Sequence, residues 1–379
     1  MNILVTGGAG FIGSHTTDAL IEKGHHVRIL DNLHPTTHPK GRPDYLNPEA
    51  EFLLGDVRDR AAWKTALEDM DAVYHLAAYQ DYLPDFSTFF HVNAVSTALL
   101  YETLVEAGDN RRVKKIVVAA SQAVMGEGRY ACPHCFETTA AFVYPEIRLE
   151  AQLSKGEWEH RCPECDGTLD WKPSDESAIK PCNPYAISKY SQEQIAIQLG
   201  RRYSIPTAVM RYSIVQGARQ SFHNAYSGAM RIFGLSLLLD RAPTIFEDGR
   251  QIRDYVNIED VVTANLLVLE NEGADGQVFN VGGGRAWTVI DFYNTMQQVV
   301  GKTVSPIMTG YYRYGDTRHI FSDTRKLKGL GWEPVKGIAE SIQAYWSYIN
   351  GEEELGDVLE YAEKNMKQLN VIRKTLSPS

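Results

Sequence analysis

Short apolar runs alternate with amphipathic stretches along the first part of the chain. "NILVTG", "HVRILD", "AEFLLGD", "DAVYHLAA" and "KKIVVAAS" are compact, rich in Val, Ile, Leu and Ala, and end on Gly, Asp, Ala or Ser. Runs of that kind suit strands covered on both faces. Between them, "FIGSHTTDALIEKG" and "NAVSTALLYETLVEAG" carry apolar side chains at helical spacing and stop at glycine. This alternation predicts βαβ units and a parallel sheet. After residue 180 the pattern gives one more long helix, "NPYAISKYSQEQIAIQLGRRY", and one more strand, "IPTAVMRYS". It then loosens into "QSFHNAYSGAMRIFGLSLLL", "RDYVNIEDVVTANLLVLE" and "ADGQVFNVGGG", which suits a smaller α+β lobe. The tail "GEEELGDVLEYAEKNMKQLNVIRK" reads as a charged surface helix. No internal repeat or low-complexity linker interrupts the chain.

With 379 residues, 44% of them apolar and 23% charged, the chain can bury a sizeable core and divide into two lobes. Its formal net charge of −10 argues against binding nucleic acid. No segment is long and apolar enough for a membrane span, and the chain opens directly on a strand without a leader pattern. A cytoplasmic protein is the expectation. Four of the five cysteines fall in two C-x-x-C pairs, a spacing that favours a metal over disulfides in a reducing compartment. Cys182 stands apart and is expected to be a small buried or half-buried residue.

"VTGGAGFIG" sets Gly7, Gly10 and Gly13 at the turn between the first strand and helix, with Phe11 and Ile12 inside the turn. The first glycine permits the tight turn, the second lets backbone approach a pyrophosphate, and the third lets helix pack on strand. Asp31, followed by Asn32, ends the second strand at the distance expected of a ribose-binding carboxylate. A carboxylate there repels a 2′-phosphate, so NAD is favoured over NADP. Asp56 and Val57 in "GDVRD" are candidates for the adenine edge.

"TGGAGFIG", "GDVRD", "HLAA", "VNAVST", "YAISK" and "IRDYVNIEDV" together resemble the extended short-chain dehydrogenase/reductase family, in particular its nucleotide-sugar epimerases and dehydratases. The likeness runs from residue 1 to about 348, apart from the cysteine-bearing stretch. It implies an α/β fold: a Rossmann-type NAD-binding domain with a parallel sheet at 1–212, a smaller α+β lobe at 213–350 that is mainly substrate-binding, and a helical extension at 351–379. The resemblance also implies that Leu76, Ala77, Ala78 and Asn93 contact the cofactor. Tyr185 and Lys189, at i and i+4, lie on one helix face, where the ammonium would favour the phenolate and hold the nicotinamide ribose. Ser121 matches the serine that hydrogen-bonds the reacting sugar oxygen. Arg253, Arg313 and Asp316 match contacts to the diphosphate and nucleotide ribose, and Asn224 and Tyr226 are further candidates there. Ile214 departs from the family, occupying a position where relatives usually carry asparagine.

The residues after Ser121 narrow the reaction. Dehydratases of this family place acidic groups there, whereas this chain has Gln122 and Ala123. What remains is 4-epimerisation: Tyr185 accepts the proton of the sugar 4-hydroxyl as C4 is oxidised, the keto sugar turns over, and C4 is re-reduced from the other face. The alternatives are a nucleotide-sugar oxidoreductase or 4,6-dehydratase on the same Tyr–Lys centre and, more remotely, an NAD-sensing scaffold that is not an enzyme. A homodimer through helices at about 93–106 and 184–202 is implied by the resemblance.

Cys132, Cys135, Cys162 and Cys165 lie inside an interruption at 129–172, between Ser121 and Tyr185. The spacing fits a zinc ribbon whose four thiolates close a structural Zn²⁺ site. From Arg129 to Trp171, eight acidic residues outnumber four basic ones, which disfavours a nucleic-acid-binding ribbon. A wall or lid over the sugar, a plug and a dimer contact are the open roles. Bacterial epimerases of the dTDP-L-rhamnose 4-epimerase and UDP-glucose 4-epimerase type resemble this arrangement, including "FEDGRQIRDYV" and "GDTRH".

Overall fold

The computed structural model describes the chain except residues 82, 137–140, 223–227, 309, 352–358, 360–367, 369 and 377–379. Its centre is a seven-stranded, wholly parallel sheet. The strands are β1 (Asn2–Thr6), β2 (His26–Asp31), β3 (Glu51–Leu54), β4 (Ala72–His75), β5 (Lys115–Ser121), β8 (Thr207–Tyr212) and β11 (Gln277–Val281). They lie in the order β3-β2-β1-β4-β5-β8-β11. The apolar runs become strands because both faces are covered. Ile3 and Val5 enter one core beneath α1 (Phe11–Glu22) and α6 (Ile258–Glu270). Leu4 enters the opposite core with α2 (Arg60–Leu67), α3 (Ser96–Ala107) and α4 (Pro184–Arg202). Strand order reverses beside β1, and a crevice opens there at the carboxyl ends of the strands.

The sheet takes β11 and the covering helix α6 from beyond residue 212, so the two lobes are not separated by a single cut in the chain. The smaller lobe contains β9 (Ile214–Gln216), β10 (Ile252–Asn257) and β12 (Ala286–Thr288). Strand β10 pairs parallel with β9 and antiparallel with β12. Helices α5 (Gly228–Leu238), α7 (Val289–Val300) and α8 (Ile338–Ile349) enclose this lobe's own core around Phe233, Phe292, Tyr293 and Tyr345.

The interruption is a small hairpin unit. Strands β6 (Arg129–Ala131) and β7 (Asp170–Lys172) pair antiparallel at its base, and Tyr130 and Leu169 pack beside Cys132 and Cys162. Most of the tail expected to be helical lies outside the described residues. Its described end corrects the expectation: β14 (Ile372–Lys374) pairs antiparallel with β13 (Tyr311–Arg313). Among the described residues no helix is long and apolar enough to cross a membrane.

Candidate active site

A cavity of about 630 Å³ runs between the lobes, lined at one end by the glycine turn and at the other by Arg253, Arg313 and Asp316. The turn needs its glycines. Gly7 has φ +68°, and a Cβ at Gly13 would stand 2.1 Å from the Gly7 carbonyl oxygen. Gly10 caps α1 without any side chain bonding to the first turn, leaving backbone N–H groups directed at the crevice. Gly7, Gly10, Phe11, Ile12, Gly13, Asp31, Asn32, Asp56, Val57, Leu76, Ala77 and Ala78 all line the cavity.

The Asp31 carboxylate is fixed in place by the N–H groups of Ala9 (3.0 Å) and Leu33 (2.8 Å), with lone pairs left for a diol. Asp56 is differently engaged. Arg58 forks onto it and the Asn32 amide donates to it, holding its carboxyl down at about 2. These features fit a dinucleotide: a bare helix N-terminus for the pyrophosphate and an oriented acid for the ribose. Asn93 is not among the described residues that line the cavity. It is fully buried behind the cavity wall, bonding Tyr79 backbone and the Ser188 hydroxyl, and so positions α4.

Asn183 caps α4, its side chain accepting from Ala186 N at 2.8 Å, and Pro184 starts the first turn. Tyr185 is thereby set at the positive end of a 19-residue helix. Its phenol shares a hydrogen bond with the hydroxyl of Ser121 at the end of β5. Burial pushes the phenol above its usual pKa, and the Ser121 bond opposes that rise. Lys189 lies one helical turn along α4 from Tyr185. Its ammonium is turned to Ala119 O (2.8 Å) and Gln192 Oε1 (2.8 Å), and burial pushes it down to about 7. Tyr185, Ser121 and Lys189 nevertheless line the same cavity as the glycine turn.

Gln122 has a structural part that its sequence position does not announce. Its amide donates to Ser213 (3.1 Å) and Ser322 (2.7 Å). Ser213 in turn donates to Asp254, whose burial raises its pKa. This buried chain joins β5 to β10 directly behind Arg253, and no local motif announces it. Arg253 and Arg313 lie 3.5 and 3.2 Å from the Asp316 carboxylate. Ile214 also lines the cavity, while Asn224 and Tyr226 fall outside the described residues.

The four cysteines converge although 26 residues separate the two pairs. Their sulfurs all lie within 4.8 Å of one another. The Cys132–Cys165 and Cys135–Cys162 sulfurs are 3.5 and 4.0 Å apart. A tetrahedral ion bound at about 2.3 Å from each sulfur requires separations of roughly 3.8 Å, so the cluster fits one. It lies outside the cavity: no residue of 129–172 lines it among the described residues.

The model of the NAD dependent epimerase/dehydratase family matches residues 3–146 and 165–282. The dTDP-L-rhamnose 4-epimerase of Burkholderia thailandensis is 31% identical over 354 residues, 92% of this chain and 94% of that protein. A putative UDP-glucose 4-epimerase of Methanocaldococcus jannaschii is 32% identical over 347 residues, 90% of this chain and 96% of its own length. Among solved structures, the UDP-glucose 4-epimerase of Thermotoga maritima with UDP-glucose superposes with TM-score 0.73 at 31% identity, covering 92% of this chain and 98% of that one. The Thermus thermophilus UDP-glucose 4-epimerase in complex with NAD gives TM-score 0.72 at 26% identity, over 93% and 100% of the two chains.

Proposed function

For this chain, which belongs to the NAD-dependent epimerase/dehydratase family, we propose inversion of C4 in a nucleotide-diphosphate sugar, a dTDP-6-deoxyhexose or a UDP-hexose. The observation that carries the reading is the Tyr185–Ser121 pair facing the same cavity as the dinucleotide turn. NAD, when bound, supplies reversible hydride chemistry at the sugar carbon. The glycine turn and Asp31 hold it, and Leu76, Ala77 and Ala78 wall its crevice. Ser121 orients the sugar 4-hydroxyl, and Tyr185 takes its proton and later returns it. The α4 N-terminus favours the phenolate that this requires. Arg253 and Arg313, steered by Asp316, grip the diphosphate while the sugar turns. Gln122 and Ala123 provide no general acid or base for the elimination of water, which disfavours dehydration.

The cysteine cluster holds one structural Zn²⁺, supported by its donor set and sulfur spacing. Two copies pair through the helices near 93–106 and 184–202, where Val95 and Ile187 remain exposed. No disulfide joins the cysteines among the described residues, which supports a reducing cytoplasm.

The test is incubation with a panel of dTDP-, UDP-, GDP- and CDP-sugars without added cofactor, followed by NMR of the C4 configuration. Epimer formation with no net NADH and no loss of water is the expected result. Accumulated NADH would establish the oxidoreductase instead, a 4-keto-6-deoxy product the dehydratase, and a folded, NAD-bound protein inert to every sugar the scaffold.

A further inference from the structure

The insertion at 129–172 contributes nothing to the cavity lining among the described residues, yet buried charge joins it to the cavity's far wall. Arg148 is 4% exposed. Its guanidinium forks onto Glu247 at 2.9 and 2.8 Å and also donates to the backbone oxygens of Trp158 (3.0 Å) and Asp316 (2.8 Å). Glu159, eleven positions along the insertion, accepts from Arg318 at 3.0 and 2.5 Å and meets His319 Nε2 at 2.9 Å. Because His319 Nδ1 accepts from Ile252 N–H, Nε2 carries the proton that Glu159 receives. Arg318, 1% exposed, also reaches Glu247 and Asp248, and its backbone N–H donates to Glu127.

These contacts pin the segment 316–319 from behind. That segment carries Asp316, which stands between Arg253 and Arg313, and the Arg318 carbonyl, which accepts from Arg253 at 3.1 Å. The near face of the segment is cavity wall and its far face rests on the insertion. A lid needs lining residues of its own, and the described residues of the insertion offer none.

We propose that the insertion is a strut for the diphosphate grip, with Arg148 and Glu159 as positioning residues that set where Arg253, Arg313 and Asp316 meet the nucleotide. This rests on the nucleotide-sugar reading above and assigns the insertion a part in it. A bidentate arginine loses most of its advantage when displaced by a fraction of an ångström, so loosening the strut weakens nucleotide binding. The Tyr185–Ser121 pair and the glycine turn stand on other elements and keep their geometry.

The experiment compares holoenzyme with its Arg148→Lys and Glu159→Gln variants. UDP and dTDP are titrated by calorimetry, KM and kcat are measured on the sugar turned over, and bound NAD per chain is counted. The expected result is a rise in diphosphate Kd and in KM of about tenfold or more, with kcat within about threefold of the parent and NAD content unchanged. Parent-like Kd and KM in folded variants would overturn the proposal, as would a fall in kcat at constant KM. If Arg148→Lys fails to fold, Glu159→Gln decides, since the Glu159 side chain is 36% exposed and tolerates the change. A parent that binds neither diphosphate overturns the nucleotide-sugar reading itself, and the strut with it. Parent-like binding in the variants sinks only the strut.

Discussion

Tyr185 and Ser121 are 64 positions apart in sequence, yet they share a hydrogen bond because α4 begins where β5 ends. The insertion leaves between these two points and returns without disturbing them. Proton transfer from a positioned group is worth about 10²–10⁴ in rate. Tyr185→Phe should therefore lower kcat by about 10³-fold, and Ser121→Ala by about 10²-fold. Calorimetry with UDP or dTDP should show binding unchanged in both.

Lys189 makes a pH prediction. Folding lowers its pKa from 10.5 to about 7, so between those values the unfolded chain holds the extra proton. Stability contributed by this group then rises with pH, by up to about 1.4 kcal/mol per pH unit. Denaturation midpoints taken between about pH 7 and 9 should climb in the parent. The climb should be shallower in Lys189→Met.

Gly13→Ala tests the cofactor cradle. The added Cβ meets a backbone carbonyl at 2.1 Å, and no side-chain motion relieves that. Purified Gly13→Ala should carry little or no NAD and should melt lower, by about 1–3 kcal/mol in unfolding free energy. NAD release on denaturation, measured by absorbance, checks the first effect.

Removing one ligand tests the cysteine cluster. Elemental analysis should find one zinc per chain in the parent and a value near zero in Cys162→Ser. Structural zinc often supplies the folding energy of a unit too small for its own core. Limited proteolysis should accordingly cut the variant within 129–172 while leaving the main sheet protected.

Much of the site was legible because it rests on local rules. A glycine turn after a strand, an acid ending the next strand and a tyrosine four residues before a lysine are all short-range patterns, and they meet in one cavity. The remainder depends on contacts distant in sequence. Nothing around residue 277 marks β11 as the outer strand of the first lobe's sheet, since its pairing with β8 spans some seventy residues. Asn93 sits in a recognisable motif, but which way its amide points is decided by Tyr79 and Ser188. Charged residues such as Arg148, Glu247 and Arg318 read as surface in any window, and only the folded chain buries them against one another.

The pairing of β14 with β13 bears on how the protein is made. Arg313 lies on a strand whose partner is synthesised about sixty residues later, so at ribosomal speeds that edge waits roughly 3–12 s for completion. The glycine turn and the main sheet's first strands emerge well before that. A nascent chain should thus acquire its cofactor pocket early and its hold on the nucleotide last.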